Sequence, residues 1–249
     1  MAYRMEYVDK TGRFYHRARA GWAFGTSLHQ TLQSFHDAGG AESVSADELV
    51  GRLAQSWVSA GYSSAAHEDA HIAEAEAILG RYHALAAERA SVQTFATEAV
   101  LRYDMGPFVL TGRIDRIDEH ADGTLEVVDY KSGRTGVGED DVRLSVAMEI
   151  YQLLVKRANP DRRVRATIHG LQDGSSATVE LTDDELAAIE DDLRGVGIEI
   201  VETDFEAVRP ELIVGVCEEC DFLRACDRYW KARGREFELE LTLAQHCEL

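Results

Sequence analysis

The chain is poor in cationic residues and cysteines, and it has no apolar run of membrane-spanning length. Lysine and arginine number 26 against 45 aspartate and glutamate residues, which gives a formal net charge of −19. A protein with this charge should repel a polyanion at long range, so charge alone argues against a nucleic-acid ligand. The missing apolar run predicts no membrane association, and residues 1–8 lack the apolar core of a signal peptide.

The sequence also contains no internal repeat and no low-complexity linker. Its 249 residues, of which 45% are hydrophobic, are enough to bury a full α/β core. We therefore expect a single domain over residues 1–249, with a helical insertion at 40–91 and a Cys-rich segment at 210–249. The clustered cysteines and the absence of an export signal predict a reducing, cytoplasmic location.

Hydrophobic periodicity predicts a mixed central β-sheet flanked by helices. Thr182 and Glu185 form a capping-box pattern that marks the start of one helix. The predicted helices lie near residues 21–38, 45–60, 68–90, 141–158 and 182–202, and the predicted strands near residues 92–102, 108–117, 125–131, 164–171 and 176–181.

The most informative segment is the predicted hairpin from Gly112 to Arg134. An Asp-Gly pair at residues 122–123 is a hairpin-turn signal between two β-rich runs. Side chains alternate along a strand, so Asp129 and Lys131 should share one face. The pairing of the two strands brings Asp115 beside them. The hairpin therefore predicts two carboxylates and one ammonium group on a single surface.

Two carboxylates supply the hard oxygen ligands that Mg²⁺ and Mn²⁺ prefer, and the backbone carbonyl of Tyr130 offers a further oxygen. Such an ion lowers the pKa of bound water and neutralises charge on a phosphate, and a fixed lysine adds a second cation. The alternative is a solvated hairpin with a cross-strand ion pair. The apolar run Leu125 to Val128 ends directly in Asp129, which favours the metal site, because buried charges must pair or bind a metal.

With these residues, the chain resembles the RecB-like branch of the PD-(D/E)XK nuclease superfamily, which has a restriction-endonuclease-like core. The resemblance runs from about Gly21 to Tyr229 and is most specific in the hairpin. It implies that Asp115 and Asp129 bind a divalent metal and that Lys131 positions or activates the hydrolytic water.

The resemblance also extends to two residues before the hairpin. It implies that His29, in the sequence Gly-Thr-Ser-Leu-His, is a further metal ligand and that Glu98 supports the site. On its own pattern His29 reads as a core residue, because it lies beside Leu28 and Leu32 on an amphipathic helix face.

The predicted helix after the hairpin fits the family only in part. The family places a glutamine four residues before a tyrosine, but here Ala147 precedes Tyr151 and Gln152 follows it. Gln152 lies about 100° around the helix from Tyr151 and does not replace the missing side chain. Arg113, Tyr151 and Gln152 are the candidates for supporting or DNA-positioning residues.

A second cluster contains Cys217, Cys220 and Cys226 within ten residues, in a chain with only four cysteines. Thiolate-rich sets favour an iron–sulfur cluster or tetrahedral Zn²⁺. The array is similar to the triplet of AddB-type and CRISPR-adaptation-type nucleases, which implies a [4Fe–4S] cluster. The upstream cysteine of those proteins is missing, and Cys247 or the neighbouring His246 would complete the site. Reduced cysteines without a metal are the alternative.

Three functional readings follow. The favoured one is a metal-dependent DNA nuclease acting on single strands or free ends, alone or with a helicase, repair or defence partner. Arg13, His16, Arg17 and Arg19, and then Arg157, Arg162, Arg163 and Arg165, form two basic runs that would guide a strand to the site. The second reading is a non-catalytic DNA-end-binding or assembly subunit. The third is an acidic, metal-stapled interaction protein with no nucleic-acid substrate.

Overall fold

The computed structural model describes residues 10, 16–89, 92–203, 217 and 219–232. The chain divides into two compact units, one made of residues 1–18 with 202–249 and the other of residues 19–201. In chain order the elements are α1 (Ala20–Asp37), a 3-10 turn (Gly40–Glu42), α2 (Ala46–Ser56), α3 (Ala65–Glu88), β1 (Gln93–Asp104), β2 (Val109–Glu119), β3 (Leu125–Lys131), α4 (Glu139–Arg143), α5 (Val146–Ala158), β4 (Val164–Gly170), β5 (Ser176–Val179), α6 (Asp183–Glu202) and α7 (Leu223–Lys231).

The unit of residues 19–201 is built on one five-stranded sheet in the order β1-β2-β3-β4-β5. Neighbouring strands are antiparallel except β3 and β4, which are parallel. Parallel neighbours need a crossover connection, and α4 and α5 provide it. The mixed sheet flanked by helices that the sequence predicts is confirmed. No described helix has both the length and the apolar character needed to cross a bilayer.

The central strand β3 supplies apolar side chains to both faces of the sheet. Val128 and Tyr130 belong to the core that packs against α1, α2 and α3. Leu125 and Val127 belong to the core that packs against α5. Because β3 is covered on both faces, its polar residues at the end of the strand lie at the edge of a packed interior, where their charges need partners.

One predicted helix is wrong as a single element. The segment 141–158 is divided into α4 and α5, because Ser145 has an extended backbone and its hydroxyl accepts the backbone N–H of Met148. Ser145 is therefore the N-cap of α5. The capping box at Thr182 is confirmed, since its hydroxyl accepts the N–H of Glu185 and the Glu185 carboxylate accepts the N–H of Thr182.

Glu126 on β3 is a buried carboxylate, 1% exposed, that lies on the same face of the sheet as Val128 and Tyr130. Burial raises its pKa, but the Thr167 hydroxyl and the guanidinium groups of Arg89 and Arg165 outweigh burial and hold the pKa at about 2. The Arg89 and Arg165 Nη2 atoms lie 2.9 Å and 2.8 Å from Glu126 Oε2. The ionised carboxylate is thus a structural group of the fold.

Glu126→Gln is expected to destabilise the protein by on the order of 3 kcal/mol at neutral pH. The folded-state pKa is depressed below 4.5, so the stabilisation is complete above that value and is lost as pH falls toward about 2. Urea unfolding of wild type and variant from pH 7 to pH 3 checks this. The two free energies of unfolding should converge in acid, and a constant difference would contradict the assignment.

Candidate active site

The candidate site lies where strands β2 and β3 separate. Their paired residues run from Glu119 with Leu125 to Arg116 with Val128. Beyond that point β3 continues to pair with β4 as far as Lys131, but its other edge is open. Continuation of the β2–β3 ladder would place Tyr130 opposite Ile114. The backbone groups of Tyr130 therefore need other hydrogen-bond partners.

Two side chains satisfy these groups. The Tyr130 N–H donates to Asp115 Oδ2 at 2.9 Å. The Tyr130 carbonyl oxygen lies 3.1 Å from His29 Nε2, and it accepts a hydrogen bond from that ring nitrogen. His29 Nδ1 in turn lies 3.3 Å from Asp115 Oδ1. The peptide of Tyr130 thus holds Asp115 from β2 and His29 from α1 against each other.

Asp129 and Lys131 lie on the same face of β3, as strand alternation predicts, with Asp129 Oδ2 2.7 Å from Lys131 Nζ. Burial raises the pKa of Asp129, the Asp115 carboxylate adds to the increase, and Lys131 and His29 act against it. The Asp129 side chain is 8% exposed and that of Lys131 is 39% exposed. A buried carboxylate is therefore paired with an ammonium group that solvent can reach.

Glu98 reaches the site through an unusual backbone conformation. Its φ of +46° lies in the left-handed region, which costs energy for a residue other than glycine. Residues 97 and 99 pair with residues 116 and 114 of β2, which puts Glu98 opposite Asp115. The sequence resemblance suggested Glu98, but no local sequence signal indicates this conformation, because a glutamate carries no preference for it.

The donor set fits a divalent cation. His29, Glu98 and Asp115 each offer one ligand atom, and these atoms all lie within 4.8 Å of one another. Burial lowers the pKa of His29, but Asp115, Asp129 and Glu98 raise it to a net value above 6.5. Three carboxylates therefore lie close enough to His29 to favour a positive charge at this point, whether on the imidazole or on a bound cation. Carboxylate ligands suit both Mg²⁺ and Mn²⁺, and an imidazole ligand favours a transition metal such as Mn²⁺.

Comparison with known proteins identifies the family of the chain. Residues 1–227 match the family described as the PD-(D/E)XK nuclease superfamily. The chain belongs to the PD-(D/E)XK nuclease superfamily.

Solved structures similar to this superfamily member include a proposed exonuclease from Eubacterium rectale, with 16% sequence identity and a TM-score of 0.43. That similarity covers 63% of this chain and 60% of the exonuclease chain, so this chain matches less than two thirds of the exonuclease structure. A second structure, of a protein named SSO0001, has 15% sequence identity and a TM-score of 0.36. That similarity covers 82% of this chain and 84% of the SSO0001 chain. A search of curated proteins found no match.

In this PD-(D/E)XK chain, Tyr151 lies beside the carboxylates and Gln152 does not. Burial raises the pKa of Tyr151, and Asp129 and Asp115 add to the increase. The Tyr151 ring packs over Gly112, where a Cβ atom would lie 3.1 Å from it. Gln152 is 1% exposed, and its Oε1 accepts the N–H of Leu181, so its side chain supports the fold and cannot reach a DNA strand.

The arginines of the second predicted basic run are all engaged by carboxylates. Arg157 pairs with Glu190, Arg162 with Glu119, Arg163 with Glu180 and Arg165 with Glu126. The expectation that this run guides a DNA strand is therefore not supported, because its charge is neutralised within the protein. Near the site, Arg113 is 72% exposed and its Nε lies 3.1 Å from Glu98 Oε2. Of the first basic run, Arg13 lies outside the described residues.

The cysteine array belongs to the unit of residues 1–18 and 202–249. Burial raises the pKa of the Cys226 thiol, and Cys220 and Cys217 add to the increase. The three thiols do not form a set within 4.8 Å of one another in the described part of the chain. Cys247 and His246 lie outside the described residues. The iron–sulfur or zinc site thus stays a prediction.

Proposed function

We propose that this protein is a divalent-metal-dependent deoxyribonuclease of the RecB-like branch, which hydrolyses phosphodiester bonds at the ends or in single strands of DNA during repair, recombination or defence. The observation that carries the proposal is the convergence of His29, Glu98 and Asp115 beside the Asp129–Lys131 pair. Membership of a nuclease superfamily supports the reaction class.

In the proposed site, His29, Glu98 and Asp115 would hold Mg²⁺ or Mn²⁺, and Asp129 and the Tyr130 carbonyl are the further oxygen ligands that the sequence predicts. An ion held there would lower the pKa of a water molecule and offset negative charge on the phosphate. Lys131 would place a cation where charge develops in the transition state, and it lowers the pKa of Asp129 against the effect of burial. Asp115 is fixed by the Tyr130 N–H, so little reorganisation is needed during the reaction.

The side of α1 that carries His29 offers a surface for an unpaired base. Trp22 is 69% exposed and precedes His29 by seven positions, so the two lie on one side of the helix, about 10 Å apart along its axis. Gly25 lies between them, and a Cβ atom there would be 3.0 Å from Ser132 Oγ. This side of α1 therefore faces the segment that follows Lys131, and a base could stack on the Trp22 ring.

Trp22→Leu is expected to raise the KM for single-stranded DNA by about tenfold, because stacking of one base on an aromatic ring is worth roughly 1–3 kcal/mol. Trp22→Phe keeps a ring and should stay within about threefold of wild type. Steady-state cleavage of a fluorescent oligonucleotide measures both. Equal KM values for the leucine and phenylalanine variants would exclude base stacking at this position.

Linear and circular single-stranded DNA of the same sequence distinguish the proposed modes of cleavage. With Mn²⁺, an exonuclease digests only the linear form, and labels at the 5′ or 3′ end give the polarity. Digestion of the circle would replace the exonuclease proposal by an endonuclease. If Mn²⁺ is bound to the protein and both the linear and the circular DNA stay intact, the isolated chain is not a nuclease.

A second candidate is a DNA-end-binding subunit that needs a partner, such as a helicase or another repair or defence protein. The net charge of −19 and the neutralised arginines of residues 157–165 favour it, because the isolated chain has a weak electrostatic attraction for DNA. The complete set of Asp115, Asp129 and Lys131 favours the catalytic proposal.

A further inference from the structure

Tyr130 connects the candidate metal site to a buried polar network between the sheet and helices α1 and α3. Its backbone N–H and carbonyl face Asp115 and His29. Its side chain extends toward α1 and α3, where its ring lies edge-on to the His29 ring with the two centroids 5.8 Å apart, and the residue is 4% exposed. The Tyr130 hydroxyl lies 2.8 Å from the Tyr82 hydroxyl of α3. Tyr130 therefore contacts the site through its backbone and its ring, and it contacts the buried network through its hydroxyl group.

The network is centred on Arg116, which is 6% exposed. Its Nη1 donates to the Tyr130 hydroxyl at 2.5 Å and also contacts the Tyr82 hydroxyl. Its Nη2 lies 2.9 Å from Asp118 Oδ2. A buried guanidinium must keep its partners, because loss of one leaves a charge or a donor unsatisfied. Arg116 thus holds the Tyr130 and Tyr82 hydroxyl groups in fixed positions.

The same guanidinium reaches α1. Arg116 Nη1 lies 2.5 Å from His36 Nε2, and the other ring nitrogen of His36 lies 3.0 Å from the Thr94 hydroxyl of β1. His36 follows His29 by seven positions, which places both on the same side of α1. The network therefore fixes the helix at one point and the Tyr130 peptide at another, and His29 lies between these two constraints.

We propose that Tyr82 and Arg116 are positioning residues for the metal site, acting through the Tyr130 side chain to orient the peptide that holds Asp115 and His29. This inference rests on the proposed metal-dependent function. At this point the β2–β3 ladder has ended, so no neighbouring strand constrains that edge of Tyr130. The buried hydroxyl contacts supply the constraint instead. Residues that orient metal ligands in this indirect way typically change metal affinity by 10–100-fold when they are replaced.

Tyr82→Phe tests the proposal, because it removes one hydroxyl from α3 and leaves the site residues unchanged. The protein is titrated with Mn²⁺ in the absence of DNA, and the free ion is quantified by electron paramagnetic resonance. The Kd of Tyr82→Phe for Mn²⁺ should be about tenfold higher than that of wild type. The Mn²⁺ concentration for half-maximal cleavage should rise by the same factor, while kcat at saturating Mn²⁺ returns to the wild-type value.

Tyr130→Phe removes the partner hydroxyl and gives an independent variant should Tyr82→Phe fold poorly. Its Kd for Mn²⁺ should rise by a similar factor. Because both substitutions break one shared contact, the double variant should lose less affinity than the product of the two single losses. Independent, multiplicative losses would show that the two hydroxyl groups act separately, which would overturn the coupling through Tyr130.

Leu79→Ala is the matched control, since Leu79 is fully buried in α3 and in the same apolar core but has no polar group. It should lower Tm through the cavity it creates and leave the Mn²⁺ Kd unchanged. A Tyr82→Phe protein that loses thermal stability at wild-type Mn²⁺ affinity would overturn the positioning role alone. A wild-type protein that neither binds Mn²⁺ nor cleaves DNA would overturn the proposed function and this inference with it.

Discussion

Asp129→Asn is expected to reduce cleavage by at least about 10³-fold and to abolish tight Mn²⁺ binding, because it removes the negative charge of a proposed metal ligand that pairs with Lys131. The amide has nearly the same shape as the carboxylate, so packing in the core is preserved. Asp129 lies beside Lys131, and both Lys131 and His29 favour its ionised form. Its replacement removes the anionic partner of the Lys131 ammonium group.

Cleavage of end-labelled DNA and Mn²⁺ binding are measured on the same preparation of Asp129→Asn. Glu126→Gln provides the control, since it removes a buried carboxylate from the same strand but on the opposite face. At neutral pH and low temperature the control should be less stable yet cleave at a rate near wild type. Equal activity of Asp129→Asn and wild type would remove this residue from the mechanism.

Lys131→Met is expected to separate metal binding from catalysis. The methionine keeps an unbranched apolar stem, and the loss of the ammonium group should lower kcat by about 10²–10⁴-fold. Because lysine donates no lone pair to a metal while it is protonated, Mn²⁺ affinity should stay within about threefold of wild type. The measured pair is kcat at saturating Mn²⁺ and the Kd for Mn²⁺ without DNA.

Two outcomes would contradict this role of Lys131. Full cleavage by Lys131→Met would show that the ammonium group serves only to pair with Asp129. Loss of Mn²⁺ binding together with cleavage would show that Lys131 maintains the site and has no separate catalytic part. A non-catalytic DNA-end-binding subunit predicts yet another result, since its affinity for DNA ends would persist while neither wild type nor variant cleaves.

The hairpin of the candidate site could be predicted because its signals are local. The apolar run of β3 with the Asp-Gly turn fixes the strand register, and alternation then places Asp129 beside Lys131. The position of His29 relied on family resemblance, since its helix pattern equally suits a core residue. In the structure its ring reaches the Tyr130 carbonyl, a contact between segments 101 residues apart.

Other features depend on tertiary contacts that local pattern does not reveal. The left-handed backbone of Glu98 and the network around Arg116 arise only when β1, β2, α1 and α3 come together. Gln152 carries no sequence signal that it will cap the N–H of Leu181. The arginines of residues 157–165 look like a basic patch in sequence, but their carboxylate partners come from β2, β3, the end of β5 and α6.

Mn²⁺-dependent cleavage of end-labelled single-stranded DNA by the wild-type protein tests the central claim most directly, with an EDTA control and Lys131→Met in parallel. The proposed site predicts products from wild type with Mn²⁺, none with EDTA, and at most about one hundredth of the wild-type rate from the variant. Wild-type protein that binds Mn²⁺ and leaves the DNA intact, or a variant that cleaves as fast as wild type, would contradict it.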